Sequence, residues 1–141
     1  MNWFHWALGS AVFAAITAIL AKVGVEGVDS NVATALRTTV VVFFTWAIVV
    51  FSGASGSVSQ LSGRSVLFLV LSGFATGASW LCYFRALQLG EASQVAPVDK
   101  LSVVFVLLLA ALFLGEKMHW QTILGAALMV GGALILSRQG H

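Results

Sequence analysis

Five apolar segments, separated by short polar or glycine-rich stretches, order this sequence, and their lengths predict five membrane-crossing helices over residues 3–23, 32–52, 66–89, 96–114 and 120–136. The fourth is the most informative. Its apolar run, Leu101 to Leu114, ends at Gly115, and fourteen helical residues rise only about 21 Å against a hydrocarbon core of about 30 Å. The helix must therefore draw its start inward. A start near Ala96 puts Pro97 in the first turn, where a missing N–H costs nothing. Asp99 and Lys100 then lie at or just inside the hydrocarbon edge, where the helix dipole favours the acid but not the cation. Neighbouring helical residues point about 100° apart, so each of these two charges is expected to need a partner of its own.

The second segment repeats the pattern. Its clean apolar run, Val40 to Phe51, is twelve residues or about 18 Å, so Arg37, Thr38 and Thr39 must enter the membrane as well. For Arg37 and Lys100 two readings stand. Either the long side chain snorkels its charge out to the headgroups or, for Arg37, bonds backbone carbonyls, or it lines a polar cavity between helices, as ionisable residues inside membrane spans commonly do.

The remaining segments add packing and aromatic features. Trp3 and Trp6 suit the interfacial aromatic belt, and small residues recur through the first span at Ser10, Ala11, Ala14, Ala15, Ala18 and Ala21. The stretch from Ser52 to Gly63 reads as a flexible Gly/Ser connector. In the third span Gly73 and Gly77 form a small-xxx-small helix-packing motif. Trp80, Tyr83 and Phe84 follow with i, i+3, i+4 spacing and share one face, either for packing between helices or as a wall for a flat or apolar ligand. Gly125, Gly131 and Gly132 with Ala126, Ala127 and Ala133 give the fifth span a small face that implies intimate contact with another helix.

Composition places the whole chain in one class. Of 141 residues 60% are hydrophobic and 9% charged, with a single proline, and the mean hydropathy is +1.00. These values identify an all-α integral membrane protein, a five-helix transmembrane bundle that is multi-pass and whose first apolar segment is a retained helix rather than a cleaved signal. A formal charge of +2 suits headgroup flanks and gives no reason to expect a nucleic-acid partner. Cys82 is the only cysteine, so no intrachain disulfide can form. His5, His119 and His141 show no i, i+4 pairing, and no metal site is expected. With no P-loop, dinucleotide fingerprint or nucleophile elbow, neither a cofactor nor a catalytic residue is expected, and the chain is not read as an enzyme.

The run SQVAPVDKLSVVFVLLLAALFLGEKMHWQTILGAALMVGGALIL, with Trp80-Leu-Cys-Tyr-Phe-Arg-Ala-Leu-Gln-Leu-Gly90 before it, resembles the EamA-type module of the drug/metabolite transporter superfamily. The Ala-Pro-x-Asp-Lys and Leu-Gly-Glu-Lys segments are fairly specific to its short five-helix members. Most relatives carry two such modules, inverted with respect to each other, and move small metabolites across the membrane. The resemblance implies a single inverted-repeat half that must form a homodimer, in antiparallel fashion, with the solute between the halves. By the family's pattern Pro97, Asp99, Lys100 and Glu116 occupy motif positions.

Together these readings give a secondary transporter of a small organic solute in the plasma membrane, working by alternating access. A passive membrane assembly subunit and one half of a heteromer are the alternatives. The candidate binding or coupling residues are Arg37, Trp80, Tyr83, Asp99 and Lys100, and the structural ones Gly73, Gly77, Pro97 and Glu116. Five spans put Lys22, Arg37, Arg85, Lys100 and Arg138 on one side and Arg64 and Lys117 on the other. Setting the intramembrane Arg37 and Lys100 aside leaves three against two, a weak bias that permits insertion in both orientations, whereas the full count favours one orientation with the C-terminus cytoplasmic.

Overall fold

A computed structural model describes residues 2–138; His141 lies outside the described residues. These residues form helices and no strand: α1 (Trp3–Gly24), α2 (Ser30–Phe51), a 3-10 helix (Ala54–Gln60), α3 (Gly63–Leu89), α4 (Ala92–Asp99), α5 (Ser102–Leu109), a π turn (Ala110–Leu114) and α6 (Trp120–Ser137). Five helices are long and apolar enough to cross a membrane, the fourth being the composite Ala92–Leu114.

Local chemistry fixes where each begins. Asp29 caps α2, its carboxylate accepting from the Asn31 and Val32 backbone N–H groups at 2.8 and 3.2 Å, which starts the helix at Ser30 rather than Val32. Ser62 does the same for α3, its hydroxyl accepting from the Ser65 N–H at 3.1 Å, and the helix starts at Gly63, three residues ahead of Val66. The connector between α2 and α3, expected to be flexible, is ordered into the 3-10 helix after Gly53 turns the chain with φ +71°.

The fourth span departs most from expectation. Glu91 is extended (φ −76°, ψ 147°) and the helix begins at Ala92, so Pro97 lies inside α4 and not in its first turn. Pro97 cannot donate to the Ser93 carbonyl. The helix tightens just beyond it: Leu101 N–H bonds the Val98 carbonyl at 3.0 Å and Val103 N–H the Lys100 carbonyl at 3.1 Å, both spaced i to i−3. At the far end the helix widens into the π turn. There Gly115 (φ +67°) and Glu116 both direct their N–H groups at the Ala110 carbonyl. Glu116 thus closes this span through its backbone.

The described chain divides into two compact units, one made of Met1–Lys22 with Leu89–His141 and the other of Val23–Gln88. In the first, α4 packs against α6, Ala110 and Ala133 are buried, and the Lys22 ammonium donates to the Gly90 carbonyl at 2.8 Å. In the second, Val25, Phe84 and Leu87 are buried together with Ser30 and Thr34. Most of the large apolar side chains are exposed, as lipid-facing residues of a small bundle must be. Beyond the helix's own backbone, nothing lies within 4 Å of where a Cβ on Gly125, Gly131 or Gly132 would sit, so these glycines of α6 stay open while Ala133 is buried.

An odd number of spans puts the two ends of the chain on opposite sides of the bilayer. Topology reporters fused to each terminus are expected to read opposite sides in a uniformly oriented preparation, and a same-side result would remove one span from the count.

Candidate functional site

In the unit Val23–Gln88 a cation and an aromatic face meet. Trp80 and Phe84 are four residues apart on α3 and so lie one above the other. The Arg37 guanidinium sits over the Trp80 ring with 4.1 Å between its carbon and the centroid, and 5.5 Å from the Phe84 centroid. Such stacking holds a planar guanidinium by cation–π attraction while leaving its edge N–H groups directed outward. Tyr83, on the next position of the same helix, lies within electrostatic reach of Arg37. The sequence places Arg37 on one helix and the three aromatic rings on another without joining them. The structure joins Arg37 to two of them, Trp80 and Phe84.

The geometry also gives the depth of the charge. The Gln88 amide donates to the Val28 carbonyl, and Arg85 donates to the Gln88 side-chain oxygen at 3.0 Å, which sets the end of α3 beside the start of α2. Arg37 is seven residues into α2, about 10 Å from its start, whereas Phe84 and Trp80 lie about 8 and about 14 Å from the end of α3. A snorkelling side chain would reach toward the shallower ring. Arg37 lies closer to the deeper one.

Of the two carboxylates in this unit, Glu26 and Asp29, the second is occupied with the cap of α2, and among the described residues Arg37 makes no ion pair. The threonines near it look inward: Thr34 donates to the Ser30 carbonyl and Thr38 to the Thr34 carbonyl, each at 2.7 Å. On the other flank of the α2–α3 seam an open groove of about 380 Å³ is lined by Asn31, Thr34, Thr38, Val42, Gly77 and Leu81. Gly73 and Gly77 also line a second open groove on α3 with Val70, Phe74, Ala78 and Leu81. The Gly73/Gly77 motif therefore faces open grooves, with nothing within 4 Å of either glycine's missing Cβ.

Asp99 and Lys100 belong to the other unit. Against the expectation of separate partners, they pair with each other, Lys100 Nζ to Asp99 Oδ2 at 3.3 Å. Because α4 starts early, Asp99 is its last residue and Lys100 its C-cap. With α5 starting at Ser102, the two charges lie between the C-terminal end of α4 and the N-terminal end of α5, so the dipole preference for the acid expected from a start at Ala96 is lost. Flexible side chains bridge the 100° between neighbouring positions where the backbone tightens after Pro97.

Two features were not read from the sequence. Phe84 as a second ring beneath Arg37 was accessible from its i+4 spacing to Trp80. The Gln88–Val28 bond, across sixty residues, had no local signal.

Comparison with known proteins bears on the whole chain. The EamA-like transporter family matches residues 1–138. The chain is 53% identical over 136 residues to an uncharacterized transporter in cobO 3'region of Sinorhizobium sp, covering 96% of both proteins. It is 34% identical over 140 residues to a probable terminal-alkyne amino-acid exporter of Streptantibioticus cattleyicolor, covering 96% of this chain but only 45% of that one. No solved structure matches it significantly. These relatives point to transport rather than catalysis, and the five apolar helices to a multi-pass membrane protein. On a match that runs through every one of its spans, this chain belongs to the EamA-like transporter family.

Proposed function

We propose that the chain is a secondary transporter of a small organic solute in the plasma membrane, working as a homodimer by alternating access. The observation that carries this reading is charge held inside membrane spans, Arg37 on its aromatic face and the Asp99–Lys100 pair at the break in the fourth span. A passive assembly subunit has no use for such groups, which are costly in hydrocarbon. The dimer rests on length: the chain spans 45% of the exporter and 96% of the Sinorhizobium transporter, so one copy corresponds to half of the former. Solute counterflow into proteoliposomes is the test. Saturable, protein-dependent exchange is expected, whereas an assembled protein that moves nothing would favour the passive subunit.

An antiparallel arrangement adds a second expectation. With basic residues nearly balanced between the two sides, two lysines added near Lys117, or removal of Arg138, should shift the population of orientations. A single orientation in native membrane that ignores both changes would favour a parallel dimer or a heteromer.

A further inference from the structure

We propose that the solute carries an oxyanion, most simply a carboxylate, and that Arg37 on the Trp80 ring is the group that receives it; this rests on the transport reading above. The argument starts from an accounting of charge. A guanidinium has five N–H donors and stays protonated in any protein environment, so burial cannot relieve it by proton loss. Inside a membrane span its donors need acceptors, because no bulk water supplies them. Trp80 and Phe84 give the ring face an attractive surface at 4.1 and 5.5 Å, but an aromatic ring does not accept the in-plane N–H groups. Thr34 and Thr38 donate to their own helix and so do not compete for an anion. No carboxylate among the described residues takes the ion pair: Asp29 caps α2, and Asp99 is paired with Lys100.

What remains is a planar fork held flat, its edge open, about 10 Å into the span. That is the arrangement which binds carboxylates and phosphates through two parallel N–H···O bonds. A lipid phosphate offers the same chemistry as a solute carboxylate. Depth favours the solute, since the guanidinium lies nearer the deeper ring and away from the end of the helices where headgroups would be met. The stacking further pre-organises the fork, so an arriving anion need not order a flexible side chain.

The test uses matched probes in proteoliposomes of the full chain: zwitterionic amino acids with apolar side chains, and the same amino acids as their carboxamides. Wild-type protein is expected to exchange the acids and not the amides. Arg37→Gln should lower acid exchange by about tenfold or more, the scale of a lost charge-assisted bidentate contact. Arg37→Lys should recover only part of it. Trp80→Leu keeps the charge and removes its platform, so it should raise KM for the acids several-fold and guards against an Arg37→Gln protein that fails to assemble. Equal exchange of acids and amides, or acid exchange indifferent to Arg37→Gln, would overturn the proposal and leave the transport reading standing. Loss of tightly held phosphatidylglycerol from Arg37→Gln, with acid exchange unchanged, would assign the fork to lipid and also overturn it. No exchange of any probe by assembled wild-type protein would remove the transport reading and this proposal together.

Discussion

Replacing Lys100 with methionine, or Asp99 with asparagine, is expected to cut solute exchange in proteoliposomes by about tenfold or more, while membrane insertion and dimerisation survive; a loss of only about 1.4 kcal/mol in the step that moves the charges is enough for that factor. The two side chains pair at 3.3 Å within the tightened turn that follows Pro97, and each partly covers the charge of the other. Removing one leaves the other without that cover inside a membrane span. A conformational cycle that carries this segment between two environments then meets an uncompensated charge in at least one of them. The exchanged double variant, Asp99→Lys with Lys100→Asp, should recover part of the activity if mutual attraction is what matters. Normal exchange by both single variants would mean that the charges merely reach headgroups. Failure of both to assemble would mean that the pair is structural.

The second large effect is on stability. Leu87 is completely buried (0% exposed), whereas Leu89, two residues on, is 76% exposed. Leu87→Ala should destabilise the detergent-solubilised protein by about 2 kcal/mol or more, the low end of the range for buried leucines. The low end applies because lipid or detergent is nearly as apolar as leucine, which shrinks the transfer contribution and leaves the lost packing and the cavity. Leu89→Ala should be close to neutral. Unfolding monitored by circular dichroism in one detergent, for both variants, separates the two, and equal effects would show that burial at Leu87 does not govern packing in this unit.

Much of the fold was legible because a bilayer demands a fixed length of apolar helix. That demand draws Arg37, Asp99 and Lys100 into their spans, since neither clean apolar run is long enough alone, and the helices do extend over all three. What length could not reveal was how the backbone would start. The expected opening at Ala96 treated Pro97 as a first-turn residue, but Glu91 takes up an extended conformation, four further residues enter the helix and proline lands inside it. The error carried through to the charges, removing the dipole preference for the acid and hiding their pairing. Similarly, the rings of Trp80 and Phe84 announced a face, and Arg37 announced a need. The Gln88–Val28 bond, formed across sixty residues, sets the end of α3 beside the start of α2, and no periodicity encodes it.

The hydroxyls along α2 have a mechanical consequence. Thr34, Thr38, Thr39 and Thr45 each bond a carbonyl of their own helix, at distances from 2.7 to 3.1 Å. A threonine so engaged presents chiefly its methyl group to a neighbour, and a helix surface of methyl groups can slide or roll past another without a hydrogen bond being broken. The polar ties described between α3 and the first part of α2 are two, Gln88–Val28 at the end of the seam and Arg37–Trp80 about 10 Å further in. Rolling of α2 against α3 would therefore be resisted mainly by those two ties, while the far end of α2 meets the 3-10 helix Ala54–Gln60.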